Sequence, residues 1–217
     1  KYDGCTAYLH LNERVLETLR ATETQIRPLQ RRGTKVLLSL LGNHEGAGFA
    51  NFPIRHDADR FAAQVARVVH RCHLDGVDLD DEYSEYGKNG TGQPNEDSFV
   101  WFVRALRRHL GPHKLLTLYS IGPSVDRTVS AVGNASDDLD YAWNPWYGTY
   151  QEPSVPGMPR SRLGAAAVDW GHTSTEMVQT MASRTIRDGY GVFMTYDLRM
   201  STNPSLVQAM TTALEKR

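Results

Sequence analysis

The stretch LDGVDLDDEYSEYG, Leu74–Gly87, sets five acidic residues within eight positions: Asp75, Asp78, Asp80, Asp81 and Glu82. Apolar Val77 and Leu79 alternate with Asp78 and Asp80. Successive side chains of a strand point to opposite faces, so Asp78, Asp80 and Glu82 fall on one face and Val77 and Leu79 on the other. Each step of two residues advances the chain by ~6.6 Å. Before the stretch, Asp57 opens a helical pattern with Phe61, Val65, Val68, Val69 and Cys72 on one side. After it, Phe99, Val103, Leu106 and Leu110 mark another helix. A strand set between two amphipathic helices is a central strand. Its apolar face suits the helices, which leaves the acids on the inner face, with Asp78 deepest, Asp80 between and Glu82 at the rim.

Three explanations compete for such a row. Alternating acids are ordinary on a solvated edge strand, but the flanking helices argue against an edge. Three carboxylates also suit a divalent cation, and DGVDLDDE has a superficial likeness to a calcium-binding loop. That loop is longer and carries its glycine at the middle. Acid catalysis is the third, and the pattern favours it. Carboxylates crowded away from water cannot all ionise, so Asp78 and Asp80 are expected to share a proton. Glu82, among like charges, is then expected to keep its proton and act as a general acid, the group needed to protonate a leaving oxygen in glycoside cleavage.

Working outward, the repeat continues. Asn12 caps a helix expected to run to about Arg32, where Gly33 ends it. KVLLSLL, Lys35–Leu41, is a short apolar run of the kind buried on both faces. GNHEGAGFANF follows as a loop. KLLTLYSIG (Lys114–Gly122), LDYAWNPWYG (Leu139–Gly148), AAAVDWG (Ala165–Gly171) and YGVFMTYDL (Tyr190–Leu198) read as further strands. Helices are expected over Met177–Asp188 and from Asn203 onward. Alternation of strand and helix without a linker indicates one α/β domain, residues 1–217, with a parallel sheet. Polar and aromatic residues gather at the strand ends: Asn43, Asp80, Glu82, Tyr119, Asn144, Tyr147, Tyr196 and Asp197. That suits a TIM-type (β/α)8 barrel, whose chemistry collects at the carboxyl ends of its strands. A doubly wound nucleotide-binding sheet would carry a glycine-rich loop after its first strand, and GAGF at Gly46 is too short and follows the wrong element.

Bulk properties narrow the classes. The chain has 217 residues, a net charge of −1 and 23% charged residues, a balance that favours neither nucleic acid nor an anionic membrane as partner. No apolar run reaches the ~18 residues of a spanning helix. Cys5 and Cys72 do not make a disulfide framework, and pair only if folding brings them together. Asn89-Gly90-Thr91 and Asn134-Ala135-Ser136 fit the glycosylation acceptor pattern. His70-Arg71-Cys72-His73 suggests a metal pair, but basic residues at a helix end suit the helix dipole, and no further ligands accompany them.

DGVDLDDE resembles the Asp-x-x-Asp-x-Asp-x-Glu motif of glycoside hydrolase family 18, and SLLG, Ser39–Gly42, resembles that family's motif on the preceding strand. KVLLSLLGNHEGAGFANF, LDGVDLDDEYSEYG, DYAWNPWYGTY and GYGVFMTYDL resemble, in order, the endo-β-N-acetylglucosaminidase H group of the family. The resemblance covers nearly the whole chain. It implies a retaining, substrate-assisted cleavage of the N,N′-diacetylchitobiose core of high-mannose and hybrid N-glycans, in which the sugar's own acetamide oxygen is the nucleophile. By motif position it implies that Glu82 is the acid and later the base, that Asp80 orients the acetamide, and that Asp78 shares a proton with Asp80. It further implies that Tyr141, Asn144, Tyr147, Tyr196 and Asp197 contact the sugar and that Asn43, His44 and Glu45 reach distal residues. No cofactor and no metal are expected, and the protein is expected to be secreted and monomeric. A chitinase shares the catalytic motif, and a silent glycan-binding relative would lack the motif glutamate, which is present here. The resemblance begins after the family's first two strands, so this chain is expected to supply about six of eight and to be incomplete at its N-terminus.

Overall fold

The computed structural model describes residues 1–3 and 6–215. Cys5, weighed above as a partner for Cys72, lies outside them. The chain gathers into two compact units, Lys1–Thr117 with Gly122–Leu139, and Leu118–Ile121 with Asp140–Arg217.

In the first unit, Asn12 caps helix α1, Glu13–Arg20, its side-chain oxygen accepting from the Val15 N–H at 2.9 Å. The single helix expected as far as Arg32 does not form. Two short helices follow instead, α2 at Thr22–Gln25 and α3 at Arg27–Arg31. Pro28, in the first turn of α3, accounts for the second break: it has no N–H to give the carbonyl four residues back, and its ring clashes with that carbonyl. The first break falls at Ala21, which leaves the helical region at ψ 26°. The remaining elements are β1 (Leu37–Leu41), α4 (Arg55–Arg71), β2 (Gly76–Asp80), α5 (Ser98–Leu110), β3 (Leu115–Tyr119), and a small antiparallel pair, β4 (Val129–Ser130) with β5 (Gly133–Asn134), that periodicity did not announce. The last two residues of β3 belong to the second unit.

β1 and β2 pair in parallel, Leu37 opposite Gly76 through Leu41 opposite Asp80, with α4 as the crossover a parallel pair requires. Val77 and Leu79 are fully buried, as the alternation requires. A ring cluster fills the core: Phe102 of α5 lies 5.3 Å from Phe52, 5.5 Å from Phe61 of α4 and 5.5 Å from Phe49. The amino end of β2 is fixed by Asp75. Its carboxylate accepts from the Val36 N–H and from Gln30, each at 2.9 Å, and stands 3.7 Å from Lys35 Nζ. Burial alone would push this carboxyl upward, but those hydrogen bonds and cations hold it below the usual carboxylate range. Strand β2 stops at Asp80, so the regular alternation expected to reach Glu82 ends two residues short of it.

The second unit carries β6 (Tyr141–Trp143), β7 (Leu163–Gly164), β8 (Ala167–Asp169), α6 (Thr175–Arg187), β9 (Met194–Tyr196) and α7 (Pro204–Leu214). β6 pairs with β7 and β8 with β9, both in parallel. AAAVDWG, expected as one strand, contributes only β8. Ser174 Oγ caps α6 at Met177, and Asn203 caps α7 at Ser205. Ala166, Val168, Trp170, Val178, Met181 and Leu206 form the core beneath them. The fold is thus α/β with parallel strands.

Gly76 shows how close β2 and β3 pack. A Cβ there would stand 2.0 Å from Leu115 O and 2.7 Å from Leu115 N, a collision with backbone that no side-chain rotation relieves. Gly76→Ala is expected to cost about 1–3 kcal/mol of stability, the range for overpacking a tight interior. Urea denaturation of the two proteins measures it, and equal midpoints would contradict the packing.

Candidate active site

The acids stand at the carboxyl end of β2. Asp78 and Asp80 share a face of the strand, one two-residue step apart, and both are partly buried. Thr117 Oγ1 of β3 donates to Asp78 Oδ1 at 2.6 Å. Removal from water pushes the Asp78 carboxyl up to about 7, the Thr117 hydroxyl opposing and the charge of Asp80 adding to the rise. Asp80 is pushed up to about 6, again first by burial. The Glu82 N–H, which donates to Asp80 Oδ1 at 3.1 Å, opposes the rise, and the charges of Glu82 and Asp81 add to it. Both carboxyls are thus raised toward neutrality, first by their removal from water.

Glu82 follows in a turn and is partly buried. Its backbone is gripped from the β1 side: a Cβ on Gly42 would lie 2.2 Å from Glu82 O and 2.6 Å from Ser84 N, so glycine is what lets the two chains meet. Tyr83 and Glu85 take positive φ, 61° and 47°, and His44 in the facing loop takes 59°. The His44 N–H donates to Tyr83 O at 2.8 Å, and the two rings stack with centroids 4.8 Å apart. Strained left-handed residues gathered on two adjoining loops are a usual mark of a functional rim.

Asn43, His44 and Glu45 lie on this rim. Asn43 Oδ1 accepts from the N–H groups of Glu45 and Ala47 at 3.0 and 3.3 Å, which shapes the loop. His44 and Glu45 are exposed, and His44 Nδ1 stands 3.5 Å from Glu85.

The remaining expected residues belong to the second unit. Tyr141 opens β6 rather than closing it. Asn144 is 1% exposed, and its amide donates to Thr149 Oγ1 at 2.9 Å and Ala165 O at 3.0 Å while its oxygen accepts from the Trp146 N–H at 3.0 Å. It braces the turn that presents its neighbours. Tyr147 and Tyr196 stack at 4.5 Å, both exposed. Asp197, with φ of 63°, pairs with Arg199 at 2.5 Å. Trp146, 54% exposed on the same turn, escaped the sequence reading. So did Thr117 and Asp81. For Asp81 a signal existed, because it continues the face of Val77 and Leu79, where a carboxylate must find donors. Among the described residues no group of three or more His, Cys, Asp or Glu side chains is placed to hold a metal ion.

Comparison with known proteins gives the family. Glycosyl hydrolases family 18 matches residues 6–201. An endo-β-N-acetylglucosaminidase of Flavobacterium sp. (strain SK1022) is 52% identical over 213 residues, 98% of this chain and 68% of that relative. Endo-β-N-acetylglucosaminidase F1 of Elizabethkingia meningoseptica is 30% identical over 203 residues, 90% of this chain and 59% of that relative. The solved structure of Bacteroides thetaiotamicron EndoBT-3987 in complex with Man9GlcNAc2Asn substrate superimposes with a TM-score of 0.77 at 26% identity, covering 99% of this chain and 54% of that one. The chain therefore spans a little over half the length of two of these three proteins and about two thirds of the other. It is a homologue of the endo-β-N-acetylglucosaminidases and belongs to glycosyl hydrolases family 18.

Proposed function

We propose that the protein is an endoglycosidase that hydrolyses the β-1,4 bond of the N,N′-diacetylchitobiose core of high-mannose and hybrid N-glycans, by retention with the substrate's acetamide as nucleophile, on a (β/α)8 barrel. The observation that carries the reading is the pair of raised carboxyls, Asp78 and Asp80, immediately before Glu82. The 52% identity to an endo-β-N-acetylglucosaminidase supports the activity, and the Man9GlcNAc2Asn bound to a structural relative supports the substrate class.

In this mechanism Glu82 gives its proton to the glycosidic oxygen as the bond to the anomeric carbon breaks. The acetamide carbonyl oxygen attacks that carbon and closes an oxazolinium ring. Holding nucleophile and electrophile in one molecule removes the entropy of bringing them together, an effect that reaches ~7 kcal/mol or more when alignment is good. Asp80 accepts a hydrogen bond from the acetamide N–H and balances the ring's positive charge, and Asp78 takes up the shared proton as Asp80 ionises. Glu82, now a carboxylate, draws a proton from the water that opens the ring. The exposed Tyr147 and Tyr196 faces stack on sugar, and His44 and Glu45 reach the outer mannoses.

The direct test is incubation with a denatured high-mannose glycoprotein, read by mass spectrometry. A single N-acetylglucosamine left on asparagine is expected. Bare asparagine, cleavage of chitin oligomers alone, or binding without hydrolysis would each overturn the assignment.

Two variants separate the roles. Glu82→Gln is expected to retain glycan binding while hydrolysis falls by about 10³-fold or more, within the range for loss of a general acid. Asp80→Asn should hydrolyse poorly yet still transfer a glycan from a preformed oxazoline, because the step that needs acetamide orientation has been bypassed. Equal loss of both activities in Asp80→Asn would argue against its role.

The raised carboxyls also set a pH dependence. Both lie above their ordinary value of 3.8, so the folded chain holds protons that the unfolded chain releases from about pH 4 upward. Their contribution to stability is present in acid and is lost as the pH rises through about 7. Asp78→Asn, which cannot ionise, should melt higher than wild type at pH 8 and closer to it at pH 5, while losing turnover. In the wild type, kcat/KM should decline as the pH rises through about 7. Thermal melts at both pH values, with a pH–rate profile, measure this; an Asp78→Asn protein less stable at pH 8 would contradict it.

A further inference from the structure

Asp81 stands between two residues of the catalytic motif yet faces away from them. It is 1% exposed, and its carboxylate accepts four hydrogen bonds. Ser84 Oγ and Tyr86 OH donate to Oδ1 at 2.5 and 2.6 Å, and Ser124 N and Oγ donate to Oδ2 at 2.9 and 2.6 Å. The first two donors lie just beyond Glu82 on the same turn, and the third residue lies on the loop after β3. Tyr86 OH in turn accepts from the Ala50 N–H at 3.0 Å, tying in the loop after β1. Burial, with the charge of Asp81, keeps the proton on that hydroxyl by raising its pKa above the ordinary tyrosine range. The backbone is pinned as well. A Cβ on Gly122 would lie 2.2 Å from Asp81 O, and one on Gly42 equally close to Glu82 O.

We propose that Asp81 is a positioning residue for the reaction: its carboxylate clamps the turn carrying Glu82 to the loops after β1 and β3, and so fixes where the acid's carboxyl stands. A buried carboxylate with one donor group would be explained by local folding alone. Here the donors come from the residues just after Glu82, Ser84 and Tyr86, and from Ser124 on the loop after β3. The residues between Asp81 and Ser84 are Glu82 and Tyr83, the second held in a left-handed conformation. With Asp81 anchored on one side and Ser84 and Tyr86 on the other, Glu82 is the fixed middle of a closed loop. The inference rests on the reading of Glu82 as the general acid.

The experiment uses Asp81→Asn, which keeps size and shape but replaces one acceptor by a donor, and Tyr86→Phe, which removes one of the four bonds and leaves the carboxylate. With folding at assay temperature checked by thermal melting, Asp81→Asn is expected to lower kcat by about 30-fold or more, with KM within about 3-fold. A displacement of roughly 1 Å at a reacting group costs on the order of 10²-fold. Tyr86→Phe should show a smaller loss of the same kind. Introduced into Glu82→Gln, Asp81→Asn should change the residual rate by less than about 3-fold, because groups acting as a unit are not additive. A folded Asp81→Asn protein with kcat within about 3-fold of wild type, or losses that multiply with Glu82→Gln, would overturn the proposal. If Asp81→Asn does not fold, Tyr86→Phe with kcat within about 2-fold of wild type would do so. Amide hydrogen exchange needs no substrate and separates this idea from the functional reading. Exchange at residues 82–86 should quicken in either variant while β1 and α5 stay protected. If the wild type leaves high-mannose glycans intact, the glycosidase reading fails, and the exchange result alone decides whether Asp81 holds the turn.

Discussion

A carboxylate withdrawn from water must either be met by donors or keep its proton, and that constraint organises the segment from Asp75 to Glu82. Asp75 meets a backbone N–H, a glutamine amide and a nearby lysine, and stays ionised. Asp81 meets four donors. Asp78 meets one hydroxyl and Asp80 one backbone N–H, and both rise. The same residue type, four times within seven positions, is divided by its supply of donors into two anchors and two titrating groups. The anchors lie at either end of β2 and the titrating pair lies between them, so the strand that destabilises itself by carrying the pair is held at both ends by the residues whose carboxyls are matched by donors.

Rigidity at the rim follows from the same economy of backbone contacts. The loops after β1 and β2 exchange hydrogen bonds at several points: His44 N to Tyr83 O at 2.8 Å, Ala50 N to Tyr86 OH at 3.0 Å, and Asn89 Nδ2 to Glu45 O at 3.2 Å. Non-glycine residues with positive φ occur at His44, Tyr83, Glu85 and Asn89 on these two loops. Each costs of order 1 kcal/mol and persists only where surrounding contacts over-determine it. Woven loops of this kind suit chemistry that needs an acid held still rather than delivered by closure of a flap.

Much of this was legible in the sequence. The alternation in GVDLD placed Val77 and Leu79 in the core and Asp78 and Asp80 opposite them, and Asn12, Asn203 and the amphipathic faces of α4 and α5 announced their helices. What failed did so for identifiable reasons. Pro28 outweighed the helical pattern around it, because a missing donor is a local fact that periodicity averages away. The end of β2 at Asp80 was marked only by Asp81, a carboxylate on the apolar face of Val77 and Leu79. The partners that meet it there, Ser84, Tyr86 and Ser124, include one 43 residues further on, a contact that no local period declares. β7 and the β4–β5 pair are two-residue strands, too short for any period to declare.

The contrast between Asn144 and Tyr147 carries the point into the second unit. Both follow β6 and both are residue types that contact sugars. Asn144 is buried, and its amide is committed to the Thr149 side chain, the Ala165 carbonyl and the Trp146 N–H, so its work is to shape the turn. Tyr147 and Trp146 are the residues that turn exposes, Tyr147 already stacked on Tyr196. Asp81 stands to Glu82 as Asn144 stands to Tyr147 and Trp146: a buried polar side chain holds a tight turn on which its less buried neighbours sit. A polar residue at a strand end therefore has two possible trades, bracing or contact. The type of residue does not distinguish them. What does is whether its donors and acceptors are already matched from within the protein.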